Sequence, residues 1–222
     1  MKLFLFDIDG TLINSGGSGQ KAANIVFEKY FHIKNGFSKV QLRGRSDTAI
    51  WNDVINNFKI PQSEYIKLKP VLFREYYKTL KKVIISADKK ELLPNVKETI
   101  RYIIKKEYKL GLITGNLKQG AYIKINAFDL GKFFPVGGFG NDSGSRDIIA
   151  KKAISRAKKF YNFNFSNDNI YIIGDTPADI QCALNNNVIA VAVATGKHSI
   201  EELKKYNPHY TLKNLNELKN II

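Results

Sequence analysis

Lys2-Leu3-Phe4-Leu5-Phe6-Asp7-Ile8-Asp9-Gly10-Thr11 holds four bulky apolar residues, then two acids one residue apart, then a glycine. A short apolar run ending in a turn signal reads as a buried strand, and Gly10 has the backbone freedom to leave it. If extended geometry persists through Asp9, the two carboxylates share a face about 6.5–7 Å apart. That gap suits a small tetrahedral group, with one carboxylate attacking and the other carboxyl protonating a leaving group. Asp and Gly are also ordinary turn formers, so this decamer taken alone reads equally well as a strand running into a turn. The downstream sequence decides between them.

After residue 87 helical and strand patterns alternate. Pro94 opens a helix to about 107, and Lys109-Leu110-Gly111-Leu112-Ile113-Thr114 follows as a strand. A helix at about 117–127 leads to a weak strand over Pro135–Phe139, and Asp147 to Tyr161 is helical. Ile170–Asp175 is a strand, Pro177 starts a helix, and Val188–Val193 is a strand. Alternating β and α segments predict a doubly wound, mostly parallel sheet with helices on both faces, an α/β fold. Residues 15–86 break the alternation with helical patterns at about 19–32, 47–58 and 63–83. Ser63 is the expected N-cap of the third, and Pro70 is expected to bend or interrupt it. The economical division is an inserted α-helical cap at 15–86 on a discontinuous core of 1–14 and 87–222. Its hinges fall at Ser15-Gly16-Gly17-Ser18-Gly19 and near Ile85-Ser86-Ala87-Asp88.

Ligands of open parallel sheets bind beyond the carboxyl ends of the strands, and the polar clusters of this chain fall there. Asp7 and Asp9 end the first strand. Thr114, Gly115 and Asn116 end the next, offering a hydroxyl, a backbone N–H and an amide to phosphate oxygens. Asp175 ends the strand at 170–174, inside Gly174-Asp175-Thr176-Pro177-Ala178-Asp179, and Arg146 sits in the loop between. Each has a plainer reading. Thr114 could cap a helix, Gly115 and Asn116 could make a turn, and Arg146 could be a solvated loop charge. Asp179 fits N3 of a capping box with Thr176 as N-cap and Pro177 at N1, so capping and metal ligation both stand open for it. Asp7, Asp9 and Asp175 around one small volume would raise one another's pKa unless a cation neutralised them. An all-oxygen donor set of this kind suits Mg²⁺. His32, His198 and His209 lie far from these motifs in sequence and read as surface residues.

Composition narrows the function classes further. The 222 residues can bury roughly 70% of the unfolded chain's surface without a disulfide or metal staple. The single cysteine, Cys182, allows no intramolecular disulfide, reads as a buried thiol and fits a reducing cytoplasm. The first apolar run is too short for a signal peptide and ends in acids, and no later run is long enough to span a membrane. The net charge of +15 is spread along predicted helix faces, without a basic block, zinc-ligand spacing or RNA-binding aromatic signature. It therefore favours attraction of small anionic substrates over a nucleic-acid partner, and leaves the oligomeric state open.

These motifs resemble the Mg²⁺-dependent phosphatase branch of the haloacid dehalogenase superfamily, and in overall layout its phosphoglycolate-phosphatase-like members. Asp7-x-Asp9-Gly10-Thr11 is similar to the first motif, Thr114-Gly115-Asn116 to the second and Gly174-Asp175-x-x-x-Asp179 to the fourth. The resemblance spans the whole chain, cap included. It implies that Asp7 attacks phosphorus and forms an aspartyl-phosphate. Asp9 would protonate the leaving oxygen and later deprotonate water. Mg²⁺ would be held by the Asp7 carboxylate, the Asp9 carbonyl and Asp175, with Asp179 in support. The family's third motif is usually a lysine, often followed by proline, and none stands in the right region here. Arg146 is the expected replacement and Lys151 its competitor. The resemblance implies a small phosphorylated metabolite as substrate. A sugar phosphomutase with the same aspartyl-phosphate is the nearest alternative, and a non-catalytic phosphate-binding or signalling protein is a remote one. The cap would select substrates, with Arg45 and Arg43 at the loop-to-helix junction as its candidates.

Overall fold

The computed structural model describes residues 1–222. Strand β1 is Leu3–Phe6 and β2 is Ile13–Ser15. Helices α1 (Ser18–Phe31), α2 (Asp47–Asn57) and α3 (Gln62–Ile85) follow. Then come β3 (Lys90–Leu92), α4 (Val96–Lys105), β4 (Lys109–Ile113), α5 (Lys118–Asn126) and β5 (Gly137–Gly138). The chain ends with α6 (Arg146–Phe160), β6 (Ile170–Gly174), α7 (Pro177–Asn185), β7 (Ile189–Val193), α8 (Ile200–Lys204) and β8 (Tyr210–Leu212). Six strands form one parallel sheet in the order β5-β4-β1-β6-β7-β8. The chain winds outward from β1 to one edge and returns to build the other half. The order thus reverses beside β1, the place where a ligand crevice forms in such sheets.

Strand alternation explains the two layers. Leu3 and Leu5 join an apolar cluster with Ile149 and Ala153 of α6, Ile180 and Cys182 of α7, and Leu203 of α8. Phe4 and Phe6 point the other way, into a cluster with Ile100 and Ile103 of α4 and Ala121 and Ile125 of α5. A strand buried on both faces needs apolar residues at every position, and β1, β6 and most of β7 supply them.

Helices α1–α3 form the helical cap around their own apolar cluster, in which Phe27 and Phe37 meet Trp51 edge-on. Leu117, just before α5, is buried in the same cluster. Helix α3 starts at Gln62 behind Pro61, with no side-chain cap, so Ser63 lies inside the helix rather than ahead of it. The first helical bond runs from Tyr65 N–H to the Pro61 carbonyl. Helix α3 also runs on through Pro70, because Tyr65, Leu72, Tyr76 and Leu80 are anchored in the cap cluster on either side. Two features lay beyond sequence patterning. One is the antiparallel pairing of β2 with β3, which ties together the two passages between core and cap. The other is the C-terminal stretch of α8, β8 and a 3-10 turn at Leu215–Asn220.

Candidate active site

Beyond the carboxyl ends of β1, β4 and β6 lies a cavity of about 880 Å³ between core and cap. Asp7, Asp9, Thr114, Gly115, Asn116, Arg146, Asp175 and the cap's Arg45 all line it; Asp179 and Lys151 do not. Regular strand ends at Phe6, although Asp7 N–H still bonds to the Ile173 carbonyl at 2.9 Å. Asp9 is therefore placed by the turn, which tight bonds from Gly10 to Ile13 and from Leu12 to Ile8 close.

Asp7 is 6% exposed. Burial pushes its carboxyl up to about 7; Arg146 opposes this, and Asp179 and Asp9 add to it. Arg146, the first residue of α6, sets its guanidinium 3.0 Å from Asp7 Oδ1 and hydrogen-bonds Asp179. Lys151, one turn further, is exposed. The cation beside the first acid is thus an arginine. A planar fork can bridge two carboxylates where an ammonium acts as a point charge. The Arg146 Nε–H is buried without a partner inside the chain.

Asp179 caps α7. Its Oδ2 accepts from Thr176 N–H at 3.1 Å and from the Thr176 hydroxyl at 2.6 Å, while Oδ1 takes Arg146. Both oxygens are occupied, so this acid caps the helix and anchors the arginine. Asp175 differs. Oδ1 accepts from the Thr11 hydroxyl at 3.2 Å, and Oδ2 lies between Gly10 and Gly196, where a Cβ on either glycine would overlap it. Burial, then repulsion from Asp7 and Asp179, pushes its carboxyl up to about 8. Carboxylate oxygens of Asp7, Asp175 and Asp179 lie within 4.8 Å of one another. This buried, oxygen-only set, with an unshared Asp175 oxygen in a glycine cradle, suits a hard divalent cation.

Asp9 sits in a different environment. Burial works against its charge, yet Lys124 Nζ at 2.6 Å, the Ser15 hydroxyl at 2.6 Å and Asn116 Nδ2 at 2.9 Å hold its carboxyl below the ordinary range. Lys124 also donates to Asn116 Oδ1 at 2.6 Å. The Asn116 amide is thereby committed to Asp9 and Lys124 and is not free for a phosphate oxygen. The Thr114 hydroxyl accepts from Asn116 N–H and Nδ2 and keeps its own proton to give. Gly115 N–H has no partner in the chain.

Lys124 escaped sequence reading because a lysine in a helix normally faces water; its one signal was its place between Ile123 and Ile125. Thr195 and Gly196 could have been found, since they follow β7 as Thr114 and Gly115 follow β4. His198 stays partly exposed but lines the cavity, so it lies nearer the motifs than its place in the sequence suggests, and His209 Nδ1 accepts from Ala190 N–H at 3.0 Å. Arg45 reaches the cavity but pairs with Asp53 of α2, whereas Arg43 is exposed at the rim.

A family model described as haloacid dehalogenase-like hydrolase matches residues 4–193. The chain belongs to that family. It is 25% identical over 219 residues to the pyrophosphatase PpaX of Listeria monocytogenes, covering 98% of this chain and 94% of that protein. It is 20% identical to the phosphoglycolate phosphatase of Nitrosococcus oceani, covering 100% and 96%. Among solved structures, a haloacid dehalogenase-like family hydrolase from Streptococcus pneumoniae superposes with a TM-score of 0.64 at 18% identity, covering 100% and 98%. As a member of that family, the protein is a hydrolase.

Proposed function

We propose that the protein hydrolyses a small phosphate monoester or anhydride through an aspartyl-phosphate on Asp7, with Mg²⁺ as cofactor. The observation that carries this reading is the contrast between the two acids that follow β1: Asp7 faces Arg146 and Asp175, while Asp9 is held by Lys124, Asn116 and Ser15. One carboxylate is arranged for attack and the other for proton transfer. In the first step a bond forms from an Asp7 oxygen to phosphorus and the bond to the leaving oxygen breaks. Asp9 gives that oxygen a proton from its protonated form; Lys124, Asn116 and Ser15 favour its ionised form, the state that accepts a proton in the second step. In the second step Asp9 takes a proton from water as the water attacks phosphorus, and the bond to Asp7 breaks.

Arg146, the Thr114 hydroxyl and the Gly115 N–H stabilise charge on the transferring group, which phosphoryl transfer needs above all. Asp7, Asp175 and the Asp9 carbonyl would hold Mg²⁺, which would neutralise charge on the phosphoryl oxygens. Asp179 serves them by anchoring Arg146. Residues 15–86 act as the cap and 1–14 with 87–222 as the core, a division supported by the cap's separate apolar cluster.

The test is phosphate release from p-nitrophenyl phosphate. Activity is expected to require Mg²⁺, to disappear on adding EDTA and to be lost in a folded Asp7→Asn variant. Release that survives Asp7→Asn would sink the covalent route. Interconversion of hexose phosphates exceeding net phosphate release would make the protein a mutase instead.

A further inference from the structure

Helix α1 begins inside the cavity with nothing to cap it. Its N-cap is Gly17, held at φ 73°, so no side chain covers the helix end, and the first turn contains no acid. The N–H groups of Gly17, Ser18, Gly19 and Gln20 donate to nothing in the chain, and Gly17, Gly19 and Gln20 line the cavity. Side chains close the starts of α2 (Ser46), α7 (Asp179) and α8 (Ser199); α3, α4 and α6 also start without one, and at α1 the open end itself lines the cavity.

A second, independent observation faces this helix end. Tyr76, on α3 of the cap, is 3% exposed and lines the same cavity, and its hydroxyl has no hydrogen-bond partner. A Cβ on Gly19 would stand 3.6 Å from that hydroxyl and 3.4 Å from Lys124 Nζ. An ammonium has three protons to donate, and Lys124 commits two, to Asp9 and Asn116. Asp47, a cap carboxylate that also lines the cavity, is tied to Leu117 N–H at 2.8 Å. Unfilled amides at a helix start, with its positive dipole end, form a ready site for an anion.

We propose that the open start of α1, together with the Tyr76 hydroxyl and the Lys124 ammonium, binds a second anionic group of the substrate. This rests on the phosphatase reading and narrows it to phosphate esters or anhydrides carrying a carboxylate or second phosphoryl group. Lys124 connects the two parts of the site, since the side chain that holds Asp9 also borders the helix end.

The experiment compares 2-phosphoglycolate and inorganic pyrophosphate, which carry the two kinds of second anion, with 2-hydroxyethyl phosphate, which carries none. In the native protein kcat/KM for one of the two charged probes is expected to exceed that for the neutral ester, and the better probe identifies the group. Tyr76→Phe, which keeps the ring, is expected to lower this preference about tenfold, mainly through KM, as for loss of a hydrogen bond to a charged group. Gly19→Asp places a carboxylate in the subsite and is expected to abolish the preference. The added Cβ meets only ordinary contacts, and an acid in the first turn favours the helix, so Tm should hold or rise.

No preference in the native protein, or a preference that survives both substitutions, overturns the inference while leaving the phosphatase intact. Thermal stabilisation by each probe supplies a readout independent of turnover. If no ester is hydrolysed, the phosphatase reading falls by itself. Greater stabilisation by the charged probes that Gly19→Asp removes would still support the subsite, and equal stabilisation would reject it.

Discussion

Asp175 keeps one carboxylate oxygen uncommitted because glycine stands on both sides of it. Gly10 adopts φ +87°, and the Thr195 hydroxyl bonds the Gly10 carbonyl at 2.7 Å, fastening the β1 turn to the segment after β7. Gly196 has no unusual φ, so alanine is conformationally acceptable there, but its methyl group would occupy the space of Asp175 Oδ2. Gly196→Ala is therefore expected to fold and to lose both the rise in Tm on adding Mg²⁺ and at least tenfold in kcat, on the scale of losing one electrostatic stabiliser. Unchanged Mg²⁺ stabilisation would show that Asp175 is not the group the cation needs. Arg146 illustrates the same dependence on a neighbour: without Asp179 holding it, its fork would have no fixed direction toward Asp7.

Helix α3 carries the cap. It packs Tyr65, Leu72, Tyr76 and Leu80 into one cluster with α1 and α2, and that packing holds the helix together across Pro70. Leu72 is fully buried and does not line the catalytic cavity. Leu72→Ala should lower unfolding stability by about 2–5 kcal/mol, the usual range for a core truncation. Chemical denaturation would measure this, and a loss below 1 kcal/mol would mean that the cap can collapse around the void. Helix α5 is the core's counterpart. It turns Gly120, Ala121, Lys124 and Ile125 inward, so one face supplies both apolar packing and the ammonium beside Asp9.

On the scale of the molecule, the cap rests on the core through its loop before α2. Asp47 N–H bonds the Gly115 carbonyl at 2.7 Å, the Thr48 hydroxyl bonds Gly140 at 2.6 Å, and the Ser46 hydroxyl bonds Gly144 at 3.3 Å. These contacts hold the cap loop against the core beside the cavity, where Asp47 and Gly115 form part of its wall. The cavity lining balances its charges, with Arg43, Arg45, Lys124, Arg146 and Lys197 facing Asp7, Asp9, Asp47, Glu91 and Asp175. Long-range attraction of an anionic substrate then comes from the net +15 of the whole chain. Such a field is screened as the Debye length falls from about 30 Å at 0.01 M salt to about 8 Å at 0.15 M. KM for an anionic substrate is expected to rise severalfold over that range with kcat nearly constant. A flat KM would assign binding to local contacts alone.

The sequence by itself determined five of the six sheet strands, the flanking helices up to α7 and the inserted helical block. Those signals are local: continuous apolar runs for strands buried on both faces, and turn and cap residues at their ends. It also gathered Asp7, Asp9, Thr114, Gly115 and Asp175 at one rim, because parallel strands share a carboxyl end. Only the tertiary structure decided between Arg146 and Lys151, since orientation around a helix depends on what packs against it. Tertiary structure alone gave Asp179 its capping partner and its arginine, committed Asn116 to Asp9, and buried Lys124 and Tyr76 against the start of α1. The short strands β2, β3 and β8 form only when a partner arrives from elsewhere in the chain, and a three-residue segment carries no periodicity to announce it.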